Sequence, residues 1–229
     1  MLSILLAFAI DAWWQDRVER REEIRLLSAL RDEFLANQSR IDELVAFHSA
    51  LKVTAETLLE IAANPPIDVA ADSIDQLIGD VTWWGGFINL ESATLDAVIL
   101  GGKLDVIKNE DLRGLLTSWR QTVEATATQE GQEVVHFWEI WTPLLRPSSN
   151  MAQFSNTATT IPGDTQRFHG SQLPVAPPRV DHRVLLGERK VQNALVQKSW
   201  IEDDTLRQYR LLESKAVELI GALEREISR

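Results

Sequence analysis

From Leu27 onward, apolar side chains recur in alternating steps of three and four: Leu27, Leu30, Phe34, Ile41, Leu44, Leu51, Ala55, Leu58 and Ala62. Asn37 and His48 are the polar members of the same stripe. One narrow stripe at that spacing predicts a long helix with a single packing face. Nothing upstream interrupts it. Leu2 to Ile10 is apolar but for Ser3, Asp11 and Ala12 lead to Trp13 and Trp14, and a charged stretch runs from Gln15 to Arg25. The helix is therefore expected to continue to about Ala63. Asn64-Pro65-Pro66 ends it, because a residue before proline is pushed out of the helical region.

The rest of the chain reads as further helices. Ser73 and Gln76 have capping-box spacing ahead of Leu77, Ile78 and Val81, and Trp83-Trp84-Gly85-Gly86-Phe87 breaks that short helix. A third, over about Leu90 to Leu100, stops at Gly101-Gly102, where glycine supplies a left-handed cap. Asn109 can cap a fourth that extends to Pro147 through Leu112, Leu116, Trp119, Phe137, Trp138 and Trp141, bent near Gly131. Residues 147 to 180 lack periodicity and are rich in Pro, Gly and Ser, which marks a long loop. A last helix or helix pair spans about Asp181 to Ser228. The fold class is all-α, an antiparallel helical bundle whose first helix is continuous with the N-terminal segment. The predicted division is 1–14 as anchor and 15–229 as helical body.

The N-terminal order reads as hydrocarbon, interface, water. A crossing takes about 20 apolar residues at ~1.5 Å each, so Leu2 to Trp14 is too short alone. The expectation is a single-pass transmembrane helix at the cell membrane whose upstream part lies outside this reading frame. An interfacial anchor and a buried terminal helix are the alternatives. A signal peptide fits poorly, since no Lys or Arg precedes the apolar run. Arg17, Arg20, Arg21 and Arg25 follow the anchor and by themselves favour a cytoplasmic body.

Composition narrows the chemistry. The 34 acidic and 23 basic side chains give a net charge of -11, which argues against a nucleic-acid partner. With no cysteine there is no disulfide, thiolate metal site or cysteine nucleophile. No phosphate loop, nucleophile elbow or zinc spacing occurs, so no cofactor is expected.

Two stretches resemble an uncharacterised bacterial membrane protein family, domain of unknown function family 6090. One is Leu5-Leu6-Ala7-Phe8-Ala9-Ile10-Asp11-Ala12-Trp13-Trp14 passing directly into an Arg/Glu-rich helix. The other runs from Leu95 to Arg113, where Gly101-Gly102-Lys103-Leu104 is similar to the family's "SGKL" turn, with Gly101 in place of the usual Ser, followed by Ile107-Lys108-Asn109 and Leu112-Arg113. The resemblance implies a single-pass anchor and a helical body of unknown activity. It also implies a basic upstream flank, which would place the body outside the cytoplasm, against the arginine count.

Glu133 and His136 are the one acidic/His pair at the i, i+3 spacing of di-iron bundles, but no second such pair occurs on His48, His169 or His182. They are weak metal candidates, and a polar core position is the simpler reading of His136. His48, on the seam, reads as a residue that fixes helix register. Trp83, Trp84, Trp119, Trp138 and Trp141 are candidate ligand-pocket residues, with core filling as the alternative. No catalytic residue is identifiable. The leading expectation is a structural or interaction module without catalysis. Its partners would be the bilayer through Leu2–Trp14 and a second copy or another protein through helix faces. The rivals are a sensor-type bundle with a ligand in an aromatic pocket, and an enzyme whose site is assembled from dispersed acids and histidines.

Overall fold

The computed structural model describes residues 2–65, 68–82, 87–157 and 173–229, the side chains of residues 2–9 and Thr157 excepted. The described elements are helical, in the order α1 (Leu2–Ala63), α2 (Ala71–Val81), α3 (Ala93–Ile99), α4 (Glu110–Val135), α5 (Thr142–Leu145), α6 (Met151–Thr157) and α7 (Arg189–Ile227). A π-helical turn, His136–Trp141, joins α4 to α5, and a 3-10 turn, His182–Gly187, precedes α7. The helical bundle expected from the periodicity is present. Among the described residues no helix is long and apolar enough to cross a membrane.

The chain divides into two compact units, and α1, α4 and α7 each contribute to both. Unit 1 comprises Met1–Arg40, Asn89–Thr122 and Leu212–Arg229. Its buried apolar residues include Leu27, Leu30 and Phe34 of α1, Leu95 and Val98 of α3, Leu112, Leu116 and Trp119 of α4, and Leu212, Leu219 and Leu223 of α7. Phe34 meets Trp119 edge to face with ring centroids 5.0 Å apart, a geometry that adds to simple burial.

Polar side chains on α1 hold the segment before α4 in unit 1. Glu33 accepts from Thr94 N–H at 2.6 Å and Leu95 N–H at 3.1 Å, satisfying donors that open α3. Asn37 donates to Glu91 O at 2.8 Å and accepts from Glu91 N–H at 2.7 Å. Glu23 accepts from Lys108 N–H at 2.8 Å. The polar seam residue Asn37 is thus a backbone clamp. Asn109 caps α4 as its sequence position suggests, accepting from Leu112 N–H at 3.1 Å, while its amide donates to Glu226 at 2.7 Å.

Between α3 and α4 the chain reverses at the glycine pair. Gly102 has φ +66°, and Lys103 N–H bonds back to Val98 O at 2.9 Å, the wide closure of a left-handed helix cap. Gly101 is constrained differently. A Cβ there would stand 2.2 Å from Ala97 O, inside the preceding helical turn.

Unit 2 comprises Ile41–Ile88 and Val123–Leu211. Ala55 and Leu58 of α1 pack with Ile74, Ile78 and Val81 of α2, with Trp141, Leu145 and Phe154, and with Leu185, Leu186, Val191 and Leu195. Lys52 pairs with Asp203 and Glu56 with Ser199, so α1 and α7 run antiparallel there. Tyr209 with Glu130 and His136 with Ala194 set α4 antiparallel to α7 as well. It follows that α1 and α4 are parallel to each other. Within unit 2 the expected antiparallel arrangement thus holds for α7 against α1 and α4.

Three local expectations are revised. The second helix begins at Ala71 with Ala70 as its N-cap and no side-chain cap, so Ser73 and Gln76 lie within it. Helix α4 stays α-helical through Gly131 and departs from that geometry at His136. The long loop contains α6, beyond which residues 158–172 lie outside the described part.

Candidate functional site

The polar layer of unit 2 is built on one stripe from each long helix. On α1, His48 occupies the seam between Leu44 and Leu51. On α4, Thr126, Glu130 and Glu133 follow at helical spacing, and on α7 so do Lys198, Glu202, Thr205 and Tyr209. All eight side chains are buried. Charged groups at such depth persist only when paired, and here they are paired with one another.

His48 Nδ1 lies 2.8 Å from Glu202 Oε2 and 3.2 Å from Glu133 Oε1. Lys198 Nζ lies 2.5 Å from Glu202 Oε1 and 3.3 Å from Glu133 Oε2. Each carboxylate thus faces both cations. Glu133 Oε1 faces His48, and Glu202 Oε1 faces Lys198. The His48 ring also stacks on Tyr209 with centroids 5.2 Å apart.

Burial alone would lower the His48 pKa, but the Glu133 carboxylate and then Glu202 outweigh it and hold the ring up to about 10. Lys198 is raised likewise, against its burial, by Glu133 and Glu202. Burial would raise Glu133, yet Lys198 and His48 bring it well below the usual carboxylate range. Two anions and two cations therefore balance at neutral pH. Beside them, burial pushes Glu130 up to about 7, against the lowering effect of the Tyr209 hydroxyl and the Ile88 N–H that bond to it.

His48, Glu133 and Glu202 offer three ligand atoms within 4.8 Å of one another, which is the donor set of a divalent cation. Lys198 changes that reading. Its ammonium already occupies the carboxylates, and His48 carries the proton that a metal must displace. The chemistry present is a closed ionic network.

A second buried pair joins α2 to the 3-10 turn. His182 Nδ1 lies 2.6 Å from Asp75, its Nε2 accepts from Asn150 N–H at 3.1 Å, and Gln153 also donates to Asp75 at 2.6 Å. Both ring nitrogens are used in holding loop backbone and side chain, so the pair is structural.

The sequence candidates are divided by this arrangement. Glu133 is in the network, but His136 is not: its Nε2–H donates to Ala194 O at 2.9 Å. Burial and then the Lys198 charge lower His136 to about 4, leaving it neutral. The π-turn begins at His136, and Thr142 N–H bonds to Phe137 O five residues back, so α-helical face arithmetic fails from that residue onward. Trp119 fills the core of unit 1, and Trp141 fills that of unit 2 while donating to Thr82 Oγ1 at 2.8 Å. Trp138 is half exposed against Phe137. Trp83 and Trp84 lie outside the described residues. Sequence reasoning placed His48 on the seam but missed Lys198, Glu202 and Glu130; their helical spacing on α7 and α4 was the available signal.

These features define an all-helical bundle with a charge-balanced ionic layer in one unit. No family model matches the chain, and no curated protein or solved structure is significantly similar to it.

Proposed function

We propose that this protein is a membrane-attached helical-bundle module with a structural or interaction role and no catalysis of its own, of the type represented by domain of unknown function family 6090. One observation carries the attachment. Residues 10–19 of α1 are exposed all round, including Ile10, Trp13, Trp14 and Val18, whereas the same helix buries a continuous seam from Leu27 onward. Exposed apolar and tryptophan side chains on an uncovered helix favour a bilayer interface, where indoles sit at headgroup level. The Arg17 guanidinium lies 5.6 Å from the centre of the Trp13 ring, and a cation beside an interfacial indole suits anionic headgroups. Leu2 to Ala9 continue the apolar run toward the hydrocarbon, with the body outside the cytoplasm.

The ionic layer supports the non-catalytic part of the reading. Its charges neutralise one another, and buried polar groups of this kind are best attested as devices that fix which helices pair and in what register.

Cell fractionation tests the attachment. The full chain is expected in the membrane fraction, and a variant lacking residues 1–14 in the supernatant with its helical circular dichroism retained. A full-length chain recovered entirely in the supernatant without detergent contradicts it.

A further inference from the structure

In unit 2 an open cleft of about 420 Å³ runs between α4 and α7. Two helical faces line it. Gln129, Gln132 and His136 come from α4 and the π-turn, and Gln197, Trp200 and Asp204 come from α7. The volume is within the usual range for small-molecule sites, roughly 300 to 1,000 Å³.

The chemistry of the lining is specific. Trp200 is 66% exposed, so the face of its ring is open to a ligand. Three glutamine amides line the same cleft, each able to donate and accept at once. His136 uses Nε2–H on Ala194 O, which leaves Nδ1 as an acceptor on a side chain that lines the cleft. Asp204 is paired with Arg207 at 2.8 Å, so its charge is compensated. The cleft thus offers one aromatic platform together with the apolar side chains of Val135, Ile140 and Ile201, amide donors and acceptors, and one carboxylate, that of Asp204, already paired with Arg207. It also adjoins a π-turn, a distortion that is rare and concentrated at functional sites.

A phosphate or carboxylate ligand would find no cation here, and a cationic ligand no free anion. A wholly apolar ligand would leave the three amides unmatched, and a wholly polar one would leave Trp200, Val135, Ile140 and Ile201 unmatched. We propose that this cleft binds a neutral saccharide, with the apolar face of one sugar ring on Trp200 and its hydroxyls on Gln129, Gln132, Gln197 and His136. Hydroxyls donate and accept at every position, which is the pattern that amides and a neutral imidazole match together. The proposal is independent of membrane attachment.

Titration of the detergent-solubilised full chain with cellobiose, maltotriose and chitobiose tests it, read by calorimetry and by the indole N–H resonances. The expected result is saturable binding of at least one probe with a shift of the Trp200 resonance. Trp200→Ala should weaken that binding by about tenfold or more, since a central aromatic platform carries a large share of such an interaction. Gln197→Ala should weaken it as well, while Trp138→Ala, outside the cleft, leaves it unchanged. All three replaced side chains are exposed, so each variant is expected to fold. The proposal is overturned if no probe shifts Trp200, or if Trp200→Ala binds as tightly as the unaltered chain.

Discussion

Without the Lys198 ammonium, Glu133 and Glu202 would face a single cation, His48, with two negative charges buried. Lys198→Met is therefore expected to destabilise the protein by about 3 to 5 kcal/mol, the usual cost of breaking a buried pair from one side. Replacing His48, Glu133, Lys198 and Glu202 together by apolar residues of similar volume should recover most of that loss. Urea unfolding of both variants checks the pair of outcomes, and equal losses would show that the charges are not coupled.

The same residues set a pH dependence. His48 is raised from 6.5 to about 10, so its contribution is complete below pH 6.5 and disappears as pH rises through 10. Glu130 is raised from 4.5 to about 7, so its contribution is complete below pH 4.5 and is lost as pH rises through 7. His136 is lowered from 6.5 to about 4; its contribution is present above pH 6.5 and is lost as pH falls through 4. Glu133, also lowered, loses its contribution as pH falls below its unfolded value of 4.5. Tm should accordingly fall between pH 7 and 10 and again toward strong acid. His48→Gln should flatten the alkaline arm, and an alkaline arm unchanged in that variant would rule out His48 as its source.

At the glycine pair, Gly102→Val should cost about 1 to 3 kcal/mol, because valine is strained at φ +66°. Lys103→Ala should stay within about 0.5 kcal/mol. Chemical denaturation separates them, and equal effects would remove positive φ as the cause.

At the scale of the elements, α1 was the most legible. Leu27, Leu30, Phe34, Ile41, Leu44, Leu51, Ala55 and Leu58 are all fully buried, as the step of three and four requires, and Ala62 at the end of the stripe is partly buried. Asn37 and His48 were visible as polar seam positions, but their partners were not. Those lie 54 and 154 residues away, across helix pairings whose register no single-helix pattern encodes. Glu133 and His136 are both buried, as their spacing of three suggests, but Glu133 meets His48 and Lys198 while His136 donates to Ala194 O, a difference of partners that spacing does not encode. The third helix ended at the glycine pair as expected, whereas the capping-box spacing at Ser73 lay inside α2. The seam itself is open to test. Leu30→Asp in unit 1 and Leu44→Asp in unit 2 each place an unpaired charge in a dry interface, with a desolvation cost of several kcal/mol. Circular dichroism should show a large fall in Tm for both, and unaltered melting would show the stripe to be uncovered.

For the whole molecule, composition excluded more than it assigned. The absence of cysteine removes thiol chemistry, a net charge of -11 argues against a nucleic-acid partner, and the exposed N-terminal face is read from burial. That face sets membrane attachment as the central claim, and the cysteine-free background makes it directly measurable. Trp13→Cys and Val53→Cys variants each carry a single thiol, at exposed positions on the uncovered part of α1 and on unit 2 respectively. Each is labelled with a polarity-sensitive dye and mixed with vesicles containing anionic lipid. The account predicts a blue-shifted, quench-protected emission at position 13 and a water-like emission at position 53. Water-like emission at both positions, with the chain left behind when the vesicles float, would contradict it.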